Sequence, residues 1–406
     1  MFFATPWDQF SFLEKARAAV HPFDSTASQD QEVYSNIFEM LVEGYDAVEL
    51  KRAKAVSFYE DYLARSRTLE CKLHKSLPPE SERVLHSKNI LVFQKMLRDA
   101  GYHDPSLVRR LTSGFRITEQ LDDVSEFDLL DKNKVKCPSI SMEELQKSAK
   151  WSVRALLGSI RASDDSEVDI AVYNHTLQEV ANGWIVGPLT VAQLTERFGS
   201  GWIASRRFGV RQGKKIRPID NLSEFLVNAT VGTSRKVPVQ GIDAILSLVK
   251  CLAAAVTDDR EVSLPGCPAG VLHSSWTVAE ASNIVGRTLD LESAYKNLIV
   301  DNADRKYAVI AVFNPATGAA ELFSSVSLPF GATGAVHAFN RVSVPIRRIL
   351  VRLFRLNLTS FFDDYTQLEF FKLSSSADLT ILKVLEILDG AIQYQNSSPS
   401  PRSLTH

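Results

Sequence analysis

Two adjacent aspartates, Asp363 and Asp364, sit in the aromatic run Phe361-Phe362-Asp363-Asp364-Tyr365. Burying neighbouring acids among hydrophobic residues is costly unless something neutralises them. A divalent cation does so, and hard carboxylate oxygens suit magnesium. The bland alternative is a surface turn, because carboxylates are mostly exposed. A third acid, Asp290, lies upstream in Thr288-Leu289-Asp290-Leu291-Glu292-Ser293-Ala294-Tyr295. Asp290 is expected at the end of a strand, and Asp363-Asp364 in the turn of a hairpin. Three carboxylates brought to one sheet edge can clamp two metal ions about 4 Å apart and support in-line attack on a phosphorus.

Periodicity and turn chemistry predict the elements that must carry these residues. Up to about Ser148 the pattern is mainly helical: Val56, Tyr59 and Leu63 form an apolar stripe, and Pro78-Pro79 ends that helix. Ser125 to Pro138 is expected as a polar loop, and Ser141 to Ile160 as a helix with acids in its first turn. Thr190 and Gln193 form a capping-box pattern opening a helix to Phe198. Trp202–Val210 and Ile216–Ile219 are expected as strands around the loop Arg211-Gln212-Gly213-Lys214-Lys215. Further strands are expected from Arg287, over Tyr307–Phe313 and over Glu321–Ser327, the last two joined by the turn Asn314-Pro315-Ala316-Thr317-Gly318. Gly331 opens a helix to about Phe354, which Pro345 is expected to kink or shift. Helices interleaved with short antiparallel strands give an α+β fold. The expected organisation is a mostly helical region at 1–180, a region with a basic hairpin at 181–285, a catalytic region at 286–395 and a disordered tail at 396–406.

Composition is ordinary for a globular chain: 406 residues, 45% hydrophobic, 23% charged and a formal net charge of −2. Global charge therefore selects no partner. Arg206, Arg207, Arg211, Lys214, Lys215, Arg217, Arg235 and Lys236 nevertheless cluster in one short region, which could meet phosphates. The stretch Glu119 to Asp131 is acidic instead. Arg341, Arg348, Arg352 and Arg355 fall on one face of the predicted last long helix. They form either a rail for a nucleic-acid backbone or the solvated side of a core helix. Cys71, Cys137, Cys251 and Cys267 lack metal-site spacing, even with His74 one turn from Cys71, and are expected as reduced, mostly buried thiols. The start has no basic leader, and no apolar run approaches membrane-spanning length, so a soluble intracellular protein is expected, in nucleus or cytoplasm.

The segments around the acids resemble, in order, motifs A, B and C of retrotransposon reverse transcriptases. Leu289 to Tyr295 resembles motif A, Leu328-Pro329-Phe330-Gly331 followed by Phe339 resembles motif B, and Phe361-Phe362-Asp363-Asp364 resembles motif C. Lys214-Lys215-Ile216-Arg217-Pro218-Ile219-Asp220, ending at Asn228, resembles the fingers hairpin. The resemblance spans Trp184 to about Leu388. It implies a right-hand fingers and palm fold and an RNA-directed DNA polymerase with a two-magnesium site, manganese being the alternative ion. The implied catalytic residues are Asp290, Asp363 and Asp364, with Leu291 joining them in the metal-binding set. Arg211, Lys214, Lys215, Arg217, Tyr295, Phe330 and Gly331 would bind the nucleotide, Tyr295 excluding a 2′-hydroxyl. The implied partners are an RNA template, a DNA or RNA primer and deoxynucleotides.

Three departures accompany the resemblance. Val336 stands where related elements often carry proline, Pro345 interrupts the helix after motif B, and only about 40 residues follow Asp364. A helix over Ser375–Asp389 fits there, but no thumb or ribonuclease H segment does, as in a truncated element copy. Two other readings remain open: an inactive nucleic-acid-binding remnant, and an RNA-dependent RNA polymerase.

Overall fold

The computed structural model describes residues 8–18, 29–131, 134–213, 215–291, 293–388 and 394–396. The chain is a mixed α+β protein built on two main sheets. Their strands, in chain order, are β1 (Ile185–Leu189), β2 (Ala204–Gln212), β3 (Lys215–Asn221), β4 (Ile284–Leu291), β5 (Val309–Asn314), β6 (Ala319–Ser325), β7 (Leu358–Phe361), β8 (Asp364–Phe370) and β9 (Tyr394–Asn396).

The five-stranded sheet has the order β1-β6-β5-β2-β3. Its pairs are antiparallel except β2 with β5, which run parallel through Ala204↔Val309 and Ser205↔Ile310. Helices cover both faces, which explains the unbroken apolar run in β5. Val309 and Ala311 pack with Val153, Leu156 and Leu194, while Ile310 and Val312 pack with Val172 and Phe323 on the other side. The helix Met142–Ser159 starts with a reciprocal Ser141–Glu144 capping box, and Val191–Phe198 with the expected Thr190–Gln193 box. Both motifs use local donors that the first helical turn leaves unpaired. Gly209 allows the helix Ser166–Ala181 to lie close on β2, since a Cβ there would meet Val168 at 2.4 Å.

The four-stranded sheet is antiparallel, in the order β7-β8-β4-β9. The helix Phe371–Leu388 and the helix Thr333–Phe354 share the largest core with this sheet and with the N-terminal helices Gln31–Glu43, Tyr45–Lys75 and Ile90–Asp99. Arg52 ties the 31-residue helix Tyr45–Lys75 to this unit. Its buried guanidinium donates to Glu369 at 2.6 Å and to the carbonyls of Phe354 and Arg355 at the end of Thr333–Phe354. That position also suits a cation at a helix C-terminus. The N-terminal region is thus joined to the sheet through one core.

Several expectations are corrected. The helix Thr333–Phe354 is continuous through Pro345 and begins two residues after Gly331. The expected polar loop contains a short strand, Asp128–Leu129, paired with Arg235–Lys236. Cys71 and Cys137 are exposed, while Cys251 and Cys267 are half-buried, so the free thiols are not mainly core residues. Asn396, placed in a disordered tail from composition, pairs with Leu289 in β9, and residues 397–406 lie outside the described set. Backbone pairing to an open strand edge overrides the polar composition there. Among the described residues no helix is long and apolar enough to cross a membrane.

Candidate active site

The local sequence of β4 and of the β7–β8 hairpin brings the acids together. Asp290 is the penultimate residue of β4, and Asp364 is the first residue of β8. They are direct Cα partners across the antiparallel pair, so their side chains share one face. Asp363 lies in the two-residue turn between the paired residues Phe361 and Asp364. The backbone N–H of Leu291 approaches the Asp363 carbonyl at 3.4 Å, closing the third side of the arrangement.

A cavity of about 480 Å³ lies in front of these acids. Lys215, Arg217, Asp290, Leu291, Tyr295, Lys296, Phe330, Asp363 and Asp364 all contribute to its wall. None of the three aspartates forms an ion pair with a described residue. Burial first, and then the neighbouring charges of Asp364 and Asp290, push the Asp363 carboxyl above its usual range, against the opposing pulls of a backbone hydrogen bond and, more weakly, of Arg217. Burial and Asp290 do the same to Asp364. Like charges directly opposite in a sheet are destabilising, so this arrangement costs the fold energy.

Tyr295 stands at the floor of the cavity. Its ring is 5.0 Å from Phe339 and 5.8 Å, edge-on, from Phe330. Burial, then the Asp363 charge, raises its hydroxyl to about 12, so it stays protonated at neutral pH. Lys296, next in sequence, is buried and reaches Glu179 at 3.0 Å. Glu179 also pairs with Arg207, which holds Asp220 through two further bonds of 2.7 and 3.1 Å. This buried network fastens the β2–β3 hairpin to the turn bearing Tyr295. Sequence reading did not find Lys296 or Glu179, because their association spans more than 100 residues.

Gly331 has a φ of +114°, and a Cβ on it would meet the Asp220 carbonyl oxygen at 2.2 Å. Only glycine fits a backbone approach that close. Asn228 bonds the Gly331 carbonyl at 2.9 Å and accepts from the Thr333 N–H at 2.8 Å, capping the following helix. The resemblance implied a nucleotide contact at Gly331; the packing additionally makes it the junction between β3 and the helix.

The basic residues divide by strand alternation. Arg217 is opposite Val210 and Lys215 opposite Gln212, whereas Arg211 is opposite Ile216. Lys215 and Arg217 therefore share the cavity face, and Arg211 projects from the other. Arg211 pairs there with Asp165 and Glu167, away from the acids. This separates it from the other expected nucleotide-binding residues. Lys214 lies outside the described residues. Phe330 lines the cavity, whereas Gly331, next in sequence, is not among its lining residues.

The four arginines on the helix Thr333–Phe354 and just beyond it are taken up by acids of the N-terminal region. Arg341 pairs with Asp104 and Asp122, Arg348 with Glu126, Arg352 with Glu32 and Arg355 with Glu39. Asp122 and Glu126 of the acidic stretch, together with Glu32, Glu39 and Asp104, thus form one seam with the arginine face.

The donor set at Asp290, Asp363 and Asp364 is all oxygen, which suits a hard divalent cation. Burial, and then the neighbouring like charges, raise the carboxyls of Asp363 and Asp364, and such an ion offsets both costs. As the side chains stand, no three His, Cys, Asp or Glu groups among the described residues are arranged to hold a metal ion. Mutual repulsion between bare carboxylates acts against their convergence. The sequence matches no protein-family model and no curated protein.

Proposed function

We propose that this chain is an RNA-directed DNA polymerase of retrotransposon type, which adds deoxynucleotides to a primer 3′-hydroxyl. The observation that carries the reading is the direct pairing of Asp290 with Asp364, beside Asp363, in a cavity that also holds Tyr295, Phe330, Lys215 and Arg217. In this reading the four-stranded sheet is a palm, the β2–β3 hairpin belongs to the fingers and the N-terminal helices brace both.

Asp290, Asp363 and Asp364, with Leu291 alongside, would hold magnesium or manganese, which when bound supplies positive charge at the attacking and leaving oxygens. Lys215 and Arg217 face the same space and offset the triphosphate charge, Arg217 through a planar donor fork. The Tyr295 ring, held between two phenylalanines, fills the room that a ribose 2′-hydroxyl needs. Gly331 lets the backbone come close to the template–nucleotide pair. Catalysis then rests on positioning and charge rather than on a covalent intermediate.

Primer extension on an RNA template with magnesium and deoxynucleotides tests the reading. Incorporation that disappears in Asp363→Asn supports it, and incorporation unaffected by that change overturns it. Preference for ribonucleotides would identify an RNA-dependent RNA polymerase. Salt-sensitive binding of primer–template without incorporation would identify an inactive nucleic-acid-binding remnant.

A further inference from the structure

The turn that presents Asp363 is conformationally unusual. Phe362, its first residue, has a φ of +55°, in the left-handed region. Two-residue hairpin turns place glycine, asparagine or aspartate in such a conformation, because a bulky side chain is strained there. The carboxylate of Asp363 adds repulsion from Asp364 and Asp290. Both effects act against the turn as it stands.

One contact opposes this. The hydroxyl of Ser343, on the helix Thr333–Phe354, donates to the Phe362 carbonyl at 2.6 Å. Its oxygen lies 2.8 Å from the hydroxyl of Tyr365, which also reaches the Ser343 carbonyl at 3.1 Å. Since the Ser343 proton is committed to Phe362, the Tyr365 proton points to Ser343. A single chain of donors thus runs Tyr365 to Ser343 to Phe362. It grips the residue before Asp363-Asp364 and the residue after it. Ser343 is 1% exposed and Tyr365 2%, so water does not compete for these bonds.

We propose that Ser343, supported by Tyr365, is a positioning residue that latches the strained Asp363-Asp364 turn beside Asp290, and so shortens the movement by which the three carboxylates come to share a divalent cation. The proposal rests on the polymerase reading for its consequence in catalysis, and on the hydrogen-bond chain for its consequence in metal binding. Partners that orient metal ligands typically alter affinity or activity about 10–100-fold when removed.

The test compares the full chain with Ser343→Ala, Ser343→Thr, Tyr365→Phe and Asp363→Asn, measuring Mn2+ binding from the signal of the free ion and steady-state primer extension. Ser343→Ala is expected to weaken Mn2+ binding and lower kcat by about 10-fold each, with the nucleotide KM changed by less than about twofold. Ser343→Thr keeps the hydroxyl and is expected to restore both, whereas a merely structural loss would follow the melting temperature instead. Should Ser343→Ala fail to fold, Tyr365→Phe carries the comparison. Unchanged Mn2+ affinity and kcat in the folded hydroxyl-deletion variant overturn the latch, as does failure of threonine to restore them. Absence of any incorporation by the parent chain overturns the polymerase reading, and Mn2+ binding then decides the latch alone.

Discussion

Two charged regions flank the helix Thr333–Phe354, and they treat charge in opposite ways. Behind it, Arg341, Arg347, Arg348, Arg352 and Arg355 each meet at least one carboxylate of the N-terminal region. In front, Asp290, Asp363 and Asp364 crowd one another, and burial first, then this crowding, raises the Asp363 and Asp364 carboxyls above their usual range. A seam that neutralises its charges holds elements together. A cluster that leaves them in conflict gives up stability, and such conflicts concentrate at functional sites.

The contrast is broken most sharply at Arg341. Arg341→Met leaves the buried Asp104 without its cation, while Asp122 keeps Arg110, and is expected to destabilise the fold by about 3–5 kcal/mol. Urea unfolding measures this; a loss no larger than that of an exposed ion pair would mean the seam is ornamental. Asp363→Asn is expected to act in the opposite sense on stability, holding or raising the melting temperature by relieving repulsion. The same change should reduce incorporation by at least about 10²-fold, the scale of losing one electrostatic stabiliser.

The two regions should also respond oppositely to acid. His337 lies under the seam, its ring 5.3 Å from that of Phe127. Burial first, and then the Arg341 charge, depress it from 6.5 to about 4. Its neutral form is the one the fold accepts, so its stabilising contribution is complete above pH 6.5 and is lost as pH falls towards about 4. That loss amounts to at most about 3 kcal/mol, and His337→Phe should flatten it in stability–pH curves. Asp363 and Asp364 carry raised carboxyls, so their protonation favours the folded state and their part of the curve rises as pH falls.

The smallest effects separate the two hairpin faces. Arg217→Ala should raise the nucleotide KM about 10-fold, as expected for one charge-assisted hydrogen bond. Arg211→Ala should change it by less than about twofold, since Arg211 belongs to an exposed ion-pair cluster. Equal effects at both positions would remove the distinction drawn from register.

Local rules made much of this legible. The Thr190–Gln193 cap and the Asn314–Gly318 turn follow from neighbours within a few residues, as does the last helix, expected over Ser375–Asp389 and found over Phe371–Leu388. The hairpin position of Asp363-Asp364 and the strand end at Asp290 belong to the same class. Strand parity could also have separated Arg211 from Arg217, because alternation around a short turn fixes which side chains share a face. The arginine row, by contrast, looked equally suited to phosphates or solvent, since its acidic partners lie over 200 residues away.

The amino-acid sequence by itself determined the residue types, the α+β alternation and the order of acids, aromatic and glycine, because these depend on composition and short-range geometry. Only the tertiary structure decided which charges are compensated, which face of the hairpin meets the acids and how Ser343 grips the turn at Phe362. Those outcomes depend on long-range pairing between strands and helices. Coulomb and hydrogen-bond energies fall off over a few ångströms, and sequence separation does not measure that distance.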